Sequence, residues 1–384
     1  MKIAMFTDTW LPTMDGVVNS IIQFRKCLEN EGHEVFIFAP GKEDRVDPDD
    51  DHIFRFKGKT FNMYPEYRLA LYPSKRTHDL LVENDIDIIH NHGVAFMGIK
   101  AMIAAKFFDL PCVFNFHTKV TEAVHYYPVN LSEALLKRLT WIYLRYLLRR
   151  SSAVIAPSEQ ALKELEEKCP NMRYSDVVAP GIDKDRYHKD VDGSVIRKNM
   201  DLDGSDVLLH VGRISKEKNL DLILDALPIL KKKNGNAKFL IVGDGPAKEY
   251  YERHVREKGL EDVVTFTGFV PEKQLPKYYA ASDAFVISSR FETLGIVLIE
   301  ALATGTVVAG IDHGVITDII DHGKNGFLFG DSREDCAEKI AMALKNRNLV
   351  KENGNGINFD NKIACKKLEN VYQEAMRTKE ERIF

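Results

Sequence analysis

Short apolar runs of strand character alternate with helix-patterned segments along almost the whole chain, and that alternation confines it to parallel sheets flanked by helices. Residues 2–6 read as a first strand, 19–30 as a helix and 34–39 as a second strand, and residues 86–91, 112–116 and 154–157 extend the series. The pattern breaks at V-V-A-P-G-I-D, residues 177–183, where Pro180-Gly181 suits a hinge, and a polar stretch follows through Gly193. Beyond it the alternation restarts with strands at 207–211, 239–242, 263–267 and 283–287. A length of 384 residues is long for one core and natural for two. The expectation is two Rossmann-like α/β domains facing each other across a cleft, residues 1–183 and 184–360, with a closing helix in 361–384.

In open parallel sheets ligands sit beyond the carboxyl ends of strands, so the loops that follow strands carry the candidate chemistry. The richest is S-R-F-E-T-L-G-I-V-L-I-E-A-L-A-T-G, residues 289–305. Its Leu294-Gly295 step precedes a helical pattern whose first N–H groups and dipole suit an anion without any cationic side chain. Glu292 and Glu300 frame that helix start. A carboxylate beside a phosphate repels it, so these two are expected to accept hydrogen bonds from hydroxyls while backbone donors take the anion. Hydroxyls plus a phosphate describe a sugar nucleotide. Arg213 and Lys218, in G-R-I-S-K-E-K-N after the first strand of the second half, are placed to clamp a diphosphate. The loop at Gly268-Phe269-Val270-Pro271 offers backbone to a nucleobase edge. In the first half, T-D-T-W-L-P-T-M-D-G-V-V follows the first strand; Pro12 and Gly16 are expected to keep it non-helical, with Gly16 allowing close backbone approach to a ligand. His117 ends a strand and is expected to face the crevice; His125 and Tyr126-Tyr127 follow it as candidates for the acceptor side. G-D-G-P-A-K, residues 243–248, lacks the third glycine and the Lys-Ser/Thr of a phosphate loop and reads as a tight turn.

Other partners and compartments are limited by what is missing from the sequence. A net charge of −4 gives no reason to expect nucleic acid. The N-terminus is too short and too polar for a signal peptide, and no run of 18 uncharged apolar residues occurs. Five scattered cysteines lack C-x-x-C or His-rich spacing, which fits reduced thiols in a cytoplasmic protein. No Asp-x-Asp pair stands where it would hold a metal, so neither metal nor cofactor is expected. Residues 131–150, L-S-E-A-L-L-K-R-L-T-W-I-Y-L-R-Y-L-L-R-R, form a basic, aromatic amphipathic helix. It suits either an anionic membrane surface or packing on the sheet with its cations outward. The aromatic stretch 61–73 is richer in aromatics than a loop needs and suits a cluster under a loop, the alternative being the family segment described below.

The Glu-x7-Glu stretch, with its R-F-E-T-L-G lead-in and E-A-L-A-T-G exit, resembles the donor-site motif of glycosyltransferase family 4, retaining enzymes of the GT-B fold, and the likeness covers nearly the whole chain. It implies transfer of a hexosyl group from a UDP- or GDP-sugar to a hydroxyl of a lipid or glycan, with retention at the anomeric carbon. Under it Arg213 and Lys218 match the pair that neutralises the departing nucleoside diphosphate, Glu292 orients the donor sugar and Glu300 the ribose. His117 matches a histidine beside the transferred sugar, the loop at Gly16 reaches the donor phosphates, and the closing helix returns to the first domain. The residues 7–21, Y-P-E-Y-R-L-A and F-H-T resemble the glycolipid synthases of the family, such as diacylglycerol glucosyltransferases, and mannosyltransferases share much of the pattern. That branch implies a peripheral position on the inner face of the cell membrane. A nucleotide-sugar epimerase of related fold, or a silent nucleotide-sugar-binding subunit, remains open at this point.

Overall fold

The computed structural model describes all residues except 14, 62–63, 71–74, 118–131, 234, 355–359 and 381–384, with backbone alone at 61, 64–67, 69, 133 and 380. The chain divides into two units, Met1–Gly181 with Asp360–Phe384 and Ile182–Phe359.

The first unit holds β1 (Lys2–Phe6), β2 (Glu34–Gly41), β3 (Arg45–Asp47), β4 (Asp50–Lys57), β5 (Lys59–Phe61), β6 (Tyr64–Leu69), β7 (Ile88–Asn91), β8 (Cys112–Asn115), β9 (Ala153–Ala156) and β10 (Ser175–Val177). Eight of them form one sheet in the order β10-β9-β8-β7-β1-β2-β4-β3, while β5 and β6 form a separate ladder. All neighbours in the large sheet run parallel except β3 and β4. Strands β7, β8 and β9 are buried at every residue, as a parallel sheet covered on both faces requires. The period-2 alternation of β1 assigns its side chains to two cores. Ile3 and Met5 pack with Ile21, Phe24, Leu368 and Val371, whereas Ala4 and Phe6 pack with Phe38, Met97 and Ala101. The closing helix Asn361–Glu380 therefore belongs to the first unit. Beyond its apolar contacts it is held by Tyr372 on His90, Glu369 on His33 and Asn361 on Gln23, at 2.8, 2.8 and 3.1 Å.

The second unit holds β11 (Asp206–Val211), β12 (Ala237–Val242), β13 (Val264–Gly268), β14 (Ala284–Ile287), β15 (Val307–Ile311) and β16 (Gly326–Phe329). They form one parallel sheet, β13-β12-β11-β14-β15-β16, around a single continuous core.

Gly16 departs from its expectation. It does not interrupt the helix but begins it: the helix runs Gly16–Asn30, with Asp15 as its cap, accepting from the Val18 N–H at 2.9 Å. Glycine is tolerated there because the first-turn N–H groups have no partner in the helical ladder. A Cβ at Gly16 meets nothing within 4 Å, so no crowding in the structure demands glycine at this position. The basic helix spans Glu133–Arg150, capped by Ser132. The acidic run at 47–51 makes the turn of the β3–β4 hairpin. His125, Tyr126, Tyr127 and most side chains of the aromatic stretch 61–73 lie outside the described residues.

Candidate active site

In the second sheet the chain steps outward from β11 through β12 to β13, then returns to lay β14 on the other flank of β11. That reversal opens a crevice beyond the carboxyl ends of β11 and β14, and both candidate loops leave from there. The β11 loop carries Arg213, half-buried, and runs into a 3-10 turn, Lys216–Lys218, closed by Asn219 in the left-handed region. It is braced by G-D-G-P-A-K. Ile214, fully buried, donates its N–H to Asp244 O at 2.9 Å and accepts the Ala247 N–H at 3.0 Å. A Cβ at Gly243, whose φ is +135°, falls 1.9 Å from the Gly212 carbonyl oxygen. Only glycine fits that crossing, so this turn, which has no phosphate-loop form, serves to fix the backbone beside Arg213.

Ser288, at the end of β14, ties the two loops together by donating to the carbonyls of Lys218 and Asn219 at 3.1 and 2.8 Å. Lys218 Nζ then reaches Glu292 Oε1 at 2.6 Å. Burial opposes ionisation of Glu292, but the Lys218 charge and hydrogen bond, with help from the Ser289 hydroxyl, hold its carboxyl below the ordinary range. His210 beneath them is buried, donates Nδ1–H to Val286 O at 3.1 Å, and is lowered to about 4, chiefly by burial. It is a neutral part of the floor.

Helix Ile296–Ala303 starts at Gly295, left-handed at φ +67°, with no side-chain cap and no acid in its first turn. The helices at Gly16, Glu133, Glu159 and Arg333 each have a Ser or Asp cap, whereas this start, like those at Lys248, Leu275 and Val315, has none; what sets it apart is its place in the crevice, where its first N–H groups can take an outside partner. Leu294 is partly buried against the core beside it, and Val270 is buried as a side chain, which leaves its backbone for any ligand contact. Glu300 lies one turn in and is buried, accepting from Tyr279 OH at 2.8 Å. Burial pushes its pKa up to about 7 despite the hydrogen bond from Tyr279 and the nearby Tyr187 hydroxyl. A carboxyl raised in the folded state contributes its full stability below the ordinary value of 4.5 and loses it as pH rises through about 7. Wild-type chemical stability is therefore expected to fall relative to Glu300→Gln between about pH 5 and about pH 8, by on the order of 1 to 3 kcal/mol. Parallel denaturation curves for the two proteins at both pH values would contradict this.

The first sheet has its own reversal at β1, flanked by β2 and β7. Asp8, just past β1, spends both carboxylate oxygens on the N–H groups of Ala95 and Met97, at 2.7 and 2.9 Å, and so caps helix Phe96–Phe107 from a neighbouring loop. His117 follows β8 and is half-buried. His92, just beyond β7, places Nδ1 2.7 Å from His117 Nε2, and Asn115 places Nδ2 3.0 Å from the same atom. Burial lowers His117 to about 3, His90 to about 3 and His92 well below its ordinary value, so the cluster is uncharged.

The structure thus groups Lys218, Glu292 and the start of helix Ile296–Ala303 in the second unit, while His117 and Gly16 belong to the first. Sequence reasoning missed Ser288, Tyr279, Tyr187, His92 and Asn115. Ser288-Ser289 directly after an apolar strand was a usable signal; the tyrosines and Asn115 give none, because their roles come from tertiary packing. Helix Glu133–Arg150 buries Leu144, Leu147 and Leu148 on the sheet and exposes Leu135, Leu139, Ile142 and Tyr146 along one stripe. Among the described residues no helix is long and apolar enough to cross a membrane, and the one group of side chains spaced for a metal ion is Asp50, Asp51 and His52 at the exposed hairpin.

Two family models cover most of the chain, one for glycosyl transferases group 1 over residues 194–357 and one for glycosyltransferase family 4 over residues 14–186. The chain is 30% identical over 361 residues to a sulfoquinovosyl transferase of Arabidopsis thaliana, covering 90% of this chain and 67% of the relative. An alpha-monoglucosyldiacylglycerol synthase of Streptococcus pneumoniae is 29% identical, over 90% of this chain and 78% of the relative. A GDP-mannose-dependent alpha-mannosyltransferase of Mycobacterium tuberculosis is 28% identical, over 90% and 89%. Among solved structures, a sucrose-phosphate synthase of Thermosynechococcus elongatus superposes with a TM-score of 0.77 at 18% identity, over 98% of this chain and 99% of that one. Anabaena HepE, solved with UDP and glucose, superposes with 0.76 at 20% identity, over 97% and 99%.

Proposed function

The chain belongs to glycosyltransferase family 4, and from that premise we propose that it moves a hexosyl group from a UDP- or GDP-sugar to a hydroxyl of a lipid or glycan acceptor, with retention and without a metal ion. The observation that carries this is the crevice of the second unit, where the Lys218–Glu292 pair stands beside a helix start that lacks a side-chain cap. An uncapped helix start takes a diphosphate through backbone N–H groups, and Arg213 and Lys218 neutralise the charge that builds on it as the glycosyl bond breaks. Glu292, held ionised, accepts hydroxyls of the donor sugar, and Glu300 takes the ribose. Val270, Leu294 and Gly295 contribute backbone to the donor, and Gly16, at the start of helix Gly16–Asn30, is assigned to its phosphates. His117 is assigned to the transferred sugar.

The glucosyldiacylglycerol synthase among the relatives supports a lipid acceptor. The exposed stripe of helix Glu133–Arg150, with Arg138, Arg149 and Arg150 exposed on the same helix, supports contact with an anionic membrane surface from the cytoplasmic side. One assay tests the reading. The protein is incubated with a panel of UDP- and GDP-sugars, excess EDTA and vesicles containing diacylglycerol, with and without anionic phospholipid. Transfer is expected with one donor class, unaffected by EDTA and greater on anionic vesicles. Donor hydrolysis without transfer to any lipid or glycan, or loss of activity on chelation restored by magnesium or manganese, would overturn it.

A further inference from the structure

The position of His117 is shared with two buried groups that no part of the transfer reaction has so far used. Asn115, at the end of β8, is buried, and its amide nitrogen lies 3.0 Å from His117 Nε2 and 3.4 Å from His92 Nδ1. His92 is buried too, and its ring lies nearly parallel to that of His117, with centroids 5.0 Å apart and 25° between planes. Among the described residues its Nε2 has no hydrogen-bond partner.

One proton is shared between His92 Nδ1 and His117 Nε2, and its location follows from the third group. An amide nitrogen only donates. With the proton on His117 Nε2, that N–H and the Asn115 N–H confront each other at 3.0 Å, and a neutral His92 is left with a buried, unpartnered N–H at Nε2. With the proton on His92 Nδ1, His117 Nε2 accepts from both neighbours, and the orphan at His92 Nε2 is a lone pair. Buried unpaired N–H groups are rarer in folded proteins than under-satisfied acceptors. The second arrangement keeps only the longer donor–donor approach, Asn115 Nδ2 to His92 Nδ1 at 3.4 Å, and leaves no N–H at His92 Nε2.

We infer that Asn115 and His92 are positioning residues that hold His117 as the neutral tautomer protonated on Nδ1, so that it serves the bound sugar as a hydrogen-bond donor and not as a general base. The one lone pair of the neutral imidazole is occupied from inside the protein, which removes the site at which a proton from an acceptor hydroxyl could land. His90, the remaining imidazole of the cluster, faces Tyr372 through its Nδ1 at 2.8 Å, with its Nε2 unpartnered, and so adds no charge. The role toward sugar rests on the proposed function; the tautomer does not.

The test is long-range proton–nitrogen NMR correlation of the histidine rings in 15N-labelled wild type, Asn115→Asp and His92→Phe, with His117→Gln to identify the His117 resonances. Wild type is expected to show protonated Nδ1 and bare Nε2 at His117. Asn115→Asp puts an acceptor where the amide donated, and is expected to bring the proton to His117 Nε2. Turnover in Asn115→Asp is expected to fall roughly tenfold, the scale of one misdirected hydrogen bond, with little change in KM for the donor. His92→Phe keeps a ring in place and is expected to leave His117 a mixture of tautomers. A wild-type His117 protonated on Nε2, or an unchanged His117 signature in folded Asn115→Asp, would overturn the inference whatever the protein transfers. The stated tautomer with unchanged kcat in folded Asn115→Asp would remove the positioning role. Absence of glycosyl transfer by wild type, with the stated tautomer present, counts against the proposed function and leaves the tautomer assignment standing.

Discussion

Glu292→Gln is expected to cost roughly 10- to 150-fold in kcat, the scale of a hydrogen bond to a charged group, 1.5 to 3 kcal/mol, while bare nucleoside diphosphate binds at least as well as to wild type. The structure gives the second half of that expectation its direction. In the free protein Lys218 is engaged by Glu292 at 2.6 Å, so a diphosphate that recruits Lys218 must compete with a carboxylate. Gln keeps the size and much of the hydrogen-bonding shape but releases the cation. Contacts to the sugar that strengthen as positive charge develops at the anomeric carbon act on the transition state more than on the ground state, so the loss belongs in turnover. Glu300→Gln is expected to behave differently, weakening the free nucleoside diphosphate because its partner there is the ribose. Calorimetric titration of both variants with nucleoside diphosphate, beside turnover with the full donor, separates the two. If Glu292→Gln weakens the bare nucleotide as much as Glu300→Gln does, or leaves turnover intact, the separate roles of these carboxylates are wrong.

The alternation of strands and helices was legible because each buried parallel strand has to be apolar on both faces, and runs such as A-F-V-I or A-V-I-A announce that without help from distant residues. The start of helix Ile296–Ala303 was legible for a similar local reason: glycine supplies the left-handed residue that the turn requires, and its effect stays within one turn. Gly16 shows where such reading fails. The same residue type that ends a helix in one context opens one in another, and the choice was made by Asp15, whose carboxylate caps the Val18 N–H. Glu300 was legible as a candidate but not in its ionisation, because what raises its pKa is burial beside Tyr279 and Tyr187, residues 21 and 113 positions away in the chain. The histidine cluster was half-visible. His117 announces itself at the end of a strand, whereas His92 and Asn115 gain meaning only when parallel pairing sets β7 against β8 in register, with Asn91 opposite Phe114.

Arg213→Ala is expected to lower kcat/KM about 10- to 150-fold, from loss of a charge-assisted bond of 1.5 to 3 kcal/mol to the departing diphosphate. The effect should report charge and not loop collapse, because the backbone on either side of Arg213 is fixed independently of its side chain. Gly212 lies under the Gly243 crossing, and buried Ile214 bonds the 243–248 turn through both its N–H and its carbonyl. Denaturation midpoints of variant and wild type, taken beside the kinetics, separate loss of the charge from loss of the fold. Lys218→Ala supplies the comparison, since it removes a cation and also strands Glu292 without its partner. If Arg213 and Lys218 act on one diphosphate, the double variant should lose less than the product of the two single losses, as groups that share a partner are not additive. The loss in Arg213→Ala should also shrink as salt rises, because an exposed part of the charge interaction is screened in the wild type to which it is compared. Unchanged kinetics and nucleotide affinity in Arg213→Ala would remove this residue from the site. Strict additivity with Lys218→Ala would place the two cations on different parts of the donor, leaving the helix start and Lys218 to stabilise the leaving group by themselves.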